Sequence, residues 1–467
     1  MHLADFSFGQ WLLLTQYEIL LFVAVFFALG ALDEFLIDLA YLWLRLTGRL
    51  PKVTLPEDAI AAQELSGPVA VFIPAWQEAK VIGATLRHAT SVWPYAELRI
   101  YVGCYANDPA TIAAVRTVST GDPRIRLVVN PRPGPTCKAD CLNRLHATLC
   151  EDERASGKES RLVVLHDAED MVDPAELALF DAAMTDADFV QIPVLALPRA
   201  GSRWIAGHYT DEFAQAHARD LVVRDALSAA IPGAGVGSAI ARPALARLCD
   251  RREGAPFAQD SLTEDYQLGL EIARDGTRSR FLRAHTPDGR LIATRAFFPE
   301  RIDRAVRQKT RWIHGIALQS WDRLGWNGRW VDAWMLLRDR RGPLAAVLLT
   351  LAYALIAVAV AMQIAASLGW VAAPQVTSAV AALLIFNLLA LMLRLVTRCA
   401  FTTMEHGWRQ GLFAILRMIV SNVIAIMAGW RALRNYARTL RGAPVRWDKT
   451  EHHDHPVLAI ARGDTAW

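Results

Sequence analysis

Leu162-Val-Val-Leu-His-Asp167-Ala-Glu169-Asp170 decides the fold: a short apolar run, the mark of a buried strand, ends in three carboxylates. Asp167 and Glu169, two residues apart on an extended chain, point to the same side. Three further apolar runs precede it. Val69-Ala-Val-Phe-Ile-Pro74 leads into a helical stretch from Ala79 to Ser91. Leu98-Arg-Ile-Tyr-Val-Gly103 leads through a turn at Asn107-Asp108-Pro109 into a helix ending near Val118, and Ile125-Arg-Leu-Val-Val129 precedes a helix from Lys138 to Leu149. Strand and helix alternating at this spacing predict an open, mostly parallel α/β sheet over about residues 50 to 320. Ligands of such sheets bind beyond the carboxyl ends of the strands, which is where this chain's polar signatures fall.

Carboxylates at a strand end suit a hard cation such as Mg²⁺ or Mn²⁺, which neutralises a departing diphosphate. Asp167, Glu169 and Asp170 are the candidate ligands; the alternative is an acidic loop before a helix near Pro174 that Asp173 caps. Lys138 opens a helix and, with that helix's N-terminus, forms a candidate phosphate cradle. Thr263-Glu264-Asp265 precedes an amphipathic helix carrying Leu268 and Ile272. One carboxylate there suffices as general base for a hydroxyl nucleophile; alternatively Thr263 caps the helix and the two acids favour its dipole. Gln308, Arg311 and Trp312 share one helical face, on which an indole can stack on a sugar ring and Arg and Gln can reach phosphate. A P-loop pattern is missing. Gly233-Ala-Gly235-Val-Gly237 lacks both the third-glycine spacing and the clean preceding strand of a dinucleotide fingerprint.

The chain has 467 residues, 53% hydrophobic and 21% charged, with a net charge of +3. That mix predicts a soluble domain attached to membrane helices, and the small charge gives no case for nucleic acid. Gly342 to Leu393 contains no charged residue, enough for two spans turning near Gly369-Trp370 and Pro374-Gln375. A third span is expected near 12–32. The apolar segment 411–430 is interrupted by Arg417, which predicts an interfacial or re-entrant helix. Residues 321–341 are expected to form one amphipathic helix on the leaflet, with Trp326, Trp330, Trp334 and Leu337 on its apolar face. Basic clusters at Arg45, Arg49 and Lys52, at Arg338 to Arg341, at Arg394 and Arg398, and from Arg431 to Arg441 place the large domain in the cytoplasm. Six cysteines without C-x-x-C pairing fit a reduced compartment. Glu451-His-His-Asp-His455 reads as a solvated tail, though Trp447 to His452 is able to fold back on the site.

In their order, these signatures resemble the membrane-embedded family 2 glycosyltransferases, the group of cellulose and hyaluronan synthases. Val71-Phe-Ile-Pro-Ala-Trp-Gln-Glu78 is similar to that family's opening nucleotide-binding strand, Lys138 to Asn143 to its lysine-bearing helix start, and Asp167-x-Glu169 to its D-x-D metal motif. Thr263-Glu-Asp265 resembles its T-E-D, and Gln308-x-x-Arg311-Trp312 its Q-x-x-R-W, associated with processive synthesis. Pro-Ala-Trp-x-Glu and Tyr-x-Asn-Asp-Pro look most like the phage-adsorption group of inner-membrane transferases. The second metal ligand departs from the pattern, which leaves Glu169 and Asp170 both open.

The resemblance implies a GT-A catalytic domain with flanking transmembrane and interfacial helices. The expected divisions are 1–48 for the N-terminal helix, 49–320 for the transferase domain, 321–341 for the interfacial helix, 342–398 for a transmembrane hairpin and 399–467 for a further interfacial helix and tail. It implies catalysis by Asp265 with Glu264, donor binding by Pro74, Glu78, Asp108, Lys138 and Asp167, with Asp108 at the uracil, and an acceptor and phosphate clamp of Gln308, Arg311 and Trp312. Mg²⁺ or Mn²⁺, a UDP-sugar donor, a glycan or lipid-linked acceptor, the bilayer and envelope export partners complete the expectation for a bacterial inner-membrane enzyme of exopolysaccharide synthesis. Single-sugar transfer to a lipid phosphate and an inactive transferase-fold receptor or scaffold are the alternatives.

Overall fold

In a computed structural model of the chain, residues 8–50, 52–62, 64–326, 328–370, 376–443 and 454–463 are described. The strands in chain order are β1 (Val53–Thr54), β2 (Val69–Pro74), β3 (Leu98–Tyr105), β4 (Ile125–Asn130), β5 (Leu162–Leu165), β6 (Phe189–Gln191), β7 (Val194–Ala196), β8 (Ser238–Ala241), β9 (Ser279–Phe281), β10 (Ala284–His285) and β11 (Thr294–Ala296). Seven of them form one sheet in the order β4-β3-β2-β5-β8-β6-β9. β2, β3, β4 and β5 run parallel, and β8 is antiparallel to both β5 and β6. β2 and β5 read as unbroken apolar runs because helices cover both faces; every residue from Val69 to Ile73 is at most 1% exposed. The chain leaves β2 toward β3 and later returns on the other side as β5, so a crevice opens at the carboxyl ends of these two strands.

The predicted helices form with shifted ends. Pro109–Ser119 starts where Asp108 accepts from the Thr111 N–H and Pro109 takes the first turn. Lys138–Ser156 runs further than expected, to Gly157 at φ +67, whose N–H bonds Glu153 O. Ile302–Trp312 carries Gln308, Arg311 and Trp312 and passes directly into a π-helical turn, Ile313–Gln319.

Among the described residues four helices are long and apolar enough to cross a membrane: Leu13–Leu46, Gly342–Ser367, Ser378–His406 and Trp408–Thr439. The first extends well beyond the expected 12–32. Its Asp33 and Glu34 meet Arg338 and Arg341, and Glu34 and Asp38 meet Arg219, which is 1% exposed. These ion pairs fasten the N-terminal helix to Arg219 of the sheet domain and to the end of helix Trp330–Arg340.

One membrane expectation needs correction and another is extended. Arg417 interrupts the uncharged run but does not break the helix. Helix Trp408–Thr439 runs through Arg417, because the guanidinium is buried against Asp211 Oδ1 at 2.7 Å. Nor is 321–341 one helix: Ser320–Leu324 ends at Gly325, φ +58, and Trp330–Arg340 follows. Of its expected apolar face, Trp330 and Leu337 are exposed, but Trp334 donates through Nε1 to Asp33 at 2.7 Å. Pro374 and Gln375, expected in the hairpin turn, lie outside the described residues.

Candidate active site

A cleft of about 320 Å³ lies at the carboxyl ends of β2 and β5 and is closed from the far side by helix Ile302–Trp312. Pro74, Glu78, Lys138, Asp167, Glu169, Asp170, Glu264, Asp265, Gln308, Arg311 and Trp312 all line it. The fold therefore brings together every site residue expected from sequence except one. Asp108 does not line the cleft. Its carboxylate accepts from the Gln77 N–H at 2.6 Å and caps helix Pro109–Ser119, so it holds two loops together.

Lys138 is central to the electrostatics. Its ammonium pairs with Asp167 Oδ1 at 2.6 Å and donates to Gly235 O at 3.3 Å. Burial alone would lower its pKa, but Asp167, Glu264 and Asp265 outweigh that and hold it above the ordinary value. Burial raises the Glu264 carboxyl to about 7, assisted by the Asp265 charge. Burial likewise raises Asp265, against the pull of Lys138. Asp265 Oδ1 accepts from the Tyr266 N–H at 2.8 Å. Thr263 stands at the N-cap of helix Glu264–Arg274, yet its hydroxyl makes no capping bond, contrary to the capping alternative.

The acidic loop after β5 has a buried scaffold that sequence reading missed. His166 Nδ1 meets Asp170 Oδ2 at 3.1 Å and its Nε2 meets Glu176 at 2.7 Å. Burial lowers the His166 pKa, but Glu176 and Asp170 reverse this and raise it to about 10, which keeps the ring cationic. Asp170 Oδ2 also accepts from the Asp167 N–H at 2.9 Å. Asp170, expected as a metal ligand, is thus 1% exposed and engaged in fixing the backbone beneath Asp167. Asp173 is buried and caps the turn that opens into helix Glu176–Ala183, its Oδ1 accepting from the Ala175 N–H at 3.0 Å while Glu176 accepts from the Asp173 N–H, and it also anchors Arg290 and Arg295. The tail expectation is corrected as well. His455 is fully buried and donates through Nε2 to Asp170 O at 3.1 Å, while Asp454 pairs with Arg199. Trp447 to His452 lies outside the described residues.

Two other contributors were visible as letters but not as parts of the site. The 233–237 loop lines the cleft, held by Gln191, whose amide donates to Val236 O and Gly237 O and accepts from the Ala234 N–H. At Gly235, φ +80, a Cβ would collide with the Asp265 carboxylate and crowd the Lys138 ammonium. Its signal was the glycine cluster, whose role is close approach rather than nucleotide binding by a fingerprint. Trp76 and Tyr105, edge to face at 5.1 Å, form an aromatic wall. The indole of Trp312 packs edge-on against Tyr209 and Phe298.

Two expected outcomes follow from this geometry. Gly235→Val should lower the melting temperature by the equivalent of about 1–3 kcal/mol, the cost of a β-branched residue at positive φ, and should also reduce activity, because Asp265 and Lys138 must move. Calorimetry beside an activity assay checks both. The raised Glu264 pKa fixes a sign with pH. The folded protein holds this proton more tightly than the unfolded chain, so the contribution is complete below about 4.5 and is lost as pH rises through about 7. Wild-type melting temperature should therefore fall relative to Glu264→Gln between pH 5.5 and 8.5.

A nucleotide-sugar-transferase sheet with a lysine–carboxylate cleft at its switch point defines the class, and sequence comparison agrees. Residues 67–315 match the family described as Glycosyltransferase like family 2, and the chain belongs to that family. Over 95% of its length it is 34% identical to Bacteriophage adsorption protein B of Escherichia coli K12, and equally to Bacteriophage N4 adsorption protein B of Escherichia coli O157:H7. It spans 62% of the length of these relatives. Among solved structures, a mannosyltransferase from Pyrobaculum calidifontis, in complex with GDP-mannose and Mn²⁺, superposes with a TM-score of 0.55 at 19% identity, covering 89% of this chain and 99% of that one. The likeness establishes the GT-A fold.

Proposed function

We propose that this chain is an inverting glycosyltransferase that moves a sugar from a nucleotide-sugar donor, a UDP-sugar, to a growing polysaccharide at the cytoplasmic face of a bacterial inner membrane. The observation that carries this reading is the meeting of Lys138, Asp167, Asp265 and Arg311 in one cleft. Lys138 and Arg311 supply positive charge for a leaving diphosphate. Asp265, desolvated and raised in pKa, accepts the proton of an acceptor hydroxyl as that oxygen attacks the anomeric carbon and the nucleoside diphosphate departs from the opposite face. Trp76 and Tyr105 offer a base-stacking wall. Trp312, supported by its aromatic neighbours, offers an indole edge to the acceptor.

The donor set fits a divalent cation. Among the described residues no three His, Cys, Asp or Glu side chains converge as metal ligands, and Mg²⁺ in phosphate chemistry characteristically takes one or two carboxylates, its other positions going to substrate oxygens and water. Asp167 and Glu169 are the residues that would hold Mg²⁺ or Mn²⁺. When bound, the ion would neutralise diphosphate charge.

The membrane arrangement supports the same reading. Helix Trp408–Thr439 touches the catalytic domain at Arg417–Asp211, Ala428–Thr310 and Tyr436–Asp322. Those contacts span 19 residues, or about 28 Å of helix, which suits a helix lying between domain and bilayer rather than a crossing one. Its outward face exposes Leu412, Leu416, Ile419, Val423, Met427 and Trp430.

The test is to incubate membranes carrying the protein with labelled UDP- and GDP-sugars plus Mn²⁺, and to read diphosphate release and product size. Release into a high-molecular-weight product with one UDP-sugar supports the proposal. Release into a single-sugar, lipid-extractable product would replace polymerisation with the lipid-phosphate alternative. Absence of release with every donor contradicts it.

A further inference from the structure

A second cavity, about 1830 Å³, lies past the β9 edge of the sheet, between the end of the N-terminal helix and helix Trp330–Arg340. It shares no lining residue with the donor cleft. The parallel ribbon of β7 and β11 separates them: Val194 and Ala296 line the cleft, whereas Leu195 and Arg295 line the cavity.

Ten Arg and Lys side chains line this cavity against three carboxylates, and Arg224, Arg278 and Arg295 pair outward with Asp339, Asp186 and Asp173. The carboxylates are already engaged: Asp225 by Arg280, Asp332 by Arg329 and Glu405 by Arg283. Arg45, Arg49, Lys52 and Arg274 have no carboxylate partner among the described residues. Three buried polar atoms on the wall also lack a hydrogen-bond partner: Arg224 Nη2, Arg283 Nη1 and His285 Nδ1. Arg224 is only 3% exposed, and leaving a buried guanidinium nitrogen unbonded is costly. Burial, together with the charges of Arg283 and Lys52, holds His285 below its ordinary pKa. Like charges gathered around a cavity repel one another, and the arrangement gains stability when an anion enters.

We propose that this cavity is a binding site for a multiply charged phosphate group, separate from the donor cleft. Arginine forks match phosphate oxygens in pairs. The group belongs either to a soluble phosphate compound or to an anionic lipid headgroup, since the cavity is bounded by the end of a helix that reads as a membrane span. The cleft itself sets Glu78, Asp167, Glu169, Asp170, Glu264 and Asp265 against only Lys138 and Arg311, so without a metal it is the poorer site for the same anion.

The experiment titrates inorganic pyrophosphate into the full-length protein in detergent with EDTA, and separately compares thermal stability in nanodiscs with and without phosphatidylglycerol. Arg49→Glu/Lys52→Glu reverses two exposed charges of the cavity, and Arg116→Glu reverses an exposed charge elsewhere. Saturable pyrophosphate binding, weakened more than about tenfold (1.4 kcal/mol) in the double variant and unchanged in Arg116→Glu, supports a soluble ligand. Stabilisation by phosphatidylglycerol that the double variant alone loses supports the headgroup. Binding of equal strength in all three proteins, or no response to either anion, overturns the proposal. Both readouts are independent of transferase activity.

Discussion

Asp265→Asn is expected to lower sugar transfer by about 10²–10⁴-fold, the range lost when a general base is removed. Asn keeps the side-chain shape, and its carbonyl oxygen can still accept from the Tyr266 N–H, so the fold should be retained. The loss should fall on kcat, with the donor KM nearly unchanged, because the carboxylate is needed only as the acceptor hydroxyl gives up its proton. Burial raises the Asp265 pKa, which makes it a stronger base than an exposed aspartate, and Lys138 keeps enough of it ionised to act. A full rate in this variant would contradict Asp265 as the base.

Asp167→Asn should give the second large effect, a fall in kcat/KM of about 10²–10³-fold. Loss of charge-neutralising stabilisation worth several kcal/mol corresponds to that factor. Here the loss should be in donor binding, with a Mn²⁺ requirement displaced to higher concentration, because one of two candidate ligands is gone and Lys138 loses its closest carboxylate. Asp170→Asn is the useful contrast. It leaves Asp167 and Glu169 in place but weakens the His166 bridge beneath the loop, so it should lower melting temperature more than metal affinity. Titrating Mn²⁺ against each variant separates the ligand from its support.

The sheet was legible because its strands are buried on both faces. Val69 to Ile73 and Leu162 to Leu165 had to be continuous apolar runs, and an acidic segment just past such a run had to reach the crevice. The shared placement of Gln308, Arg311 and Trp312 in the cleft was legible for a similar reason, since helical spacing alone puts them on one face. What escaped was set by partners distant in the chain. Arg417 looked like a break in an apolar segment, because nothing near it announces Asp211, two hundred residues earlier. Gly235 looked like a failed fingerprint, since its requirement is the proximity of Asp265. Asp108 stood at a strand end, where a ligand residue is expected, but the following proline and Thr111 made it a helix cap. His455 looked solvated in a tail of polar residues and is enclosed by the acidic loop it helps to hold.

The scaffold alternative and the catalytic reading part most sharply in one measurement: nucleoside diphosphate release by the purified protein in nanodiscs, with a single sugar nucleotide, comparing wild type, Asp265→Asn and wild type with chelator. The account predicts steady release by wild type, near-complete loss in Asp265→Asn despite retained donor binding, and loss with chelator that Mn²⁺ restores. Equal release by wild type and Asp265→Asn, or release indifferent to chelator, would contradict it.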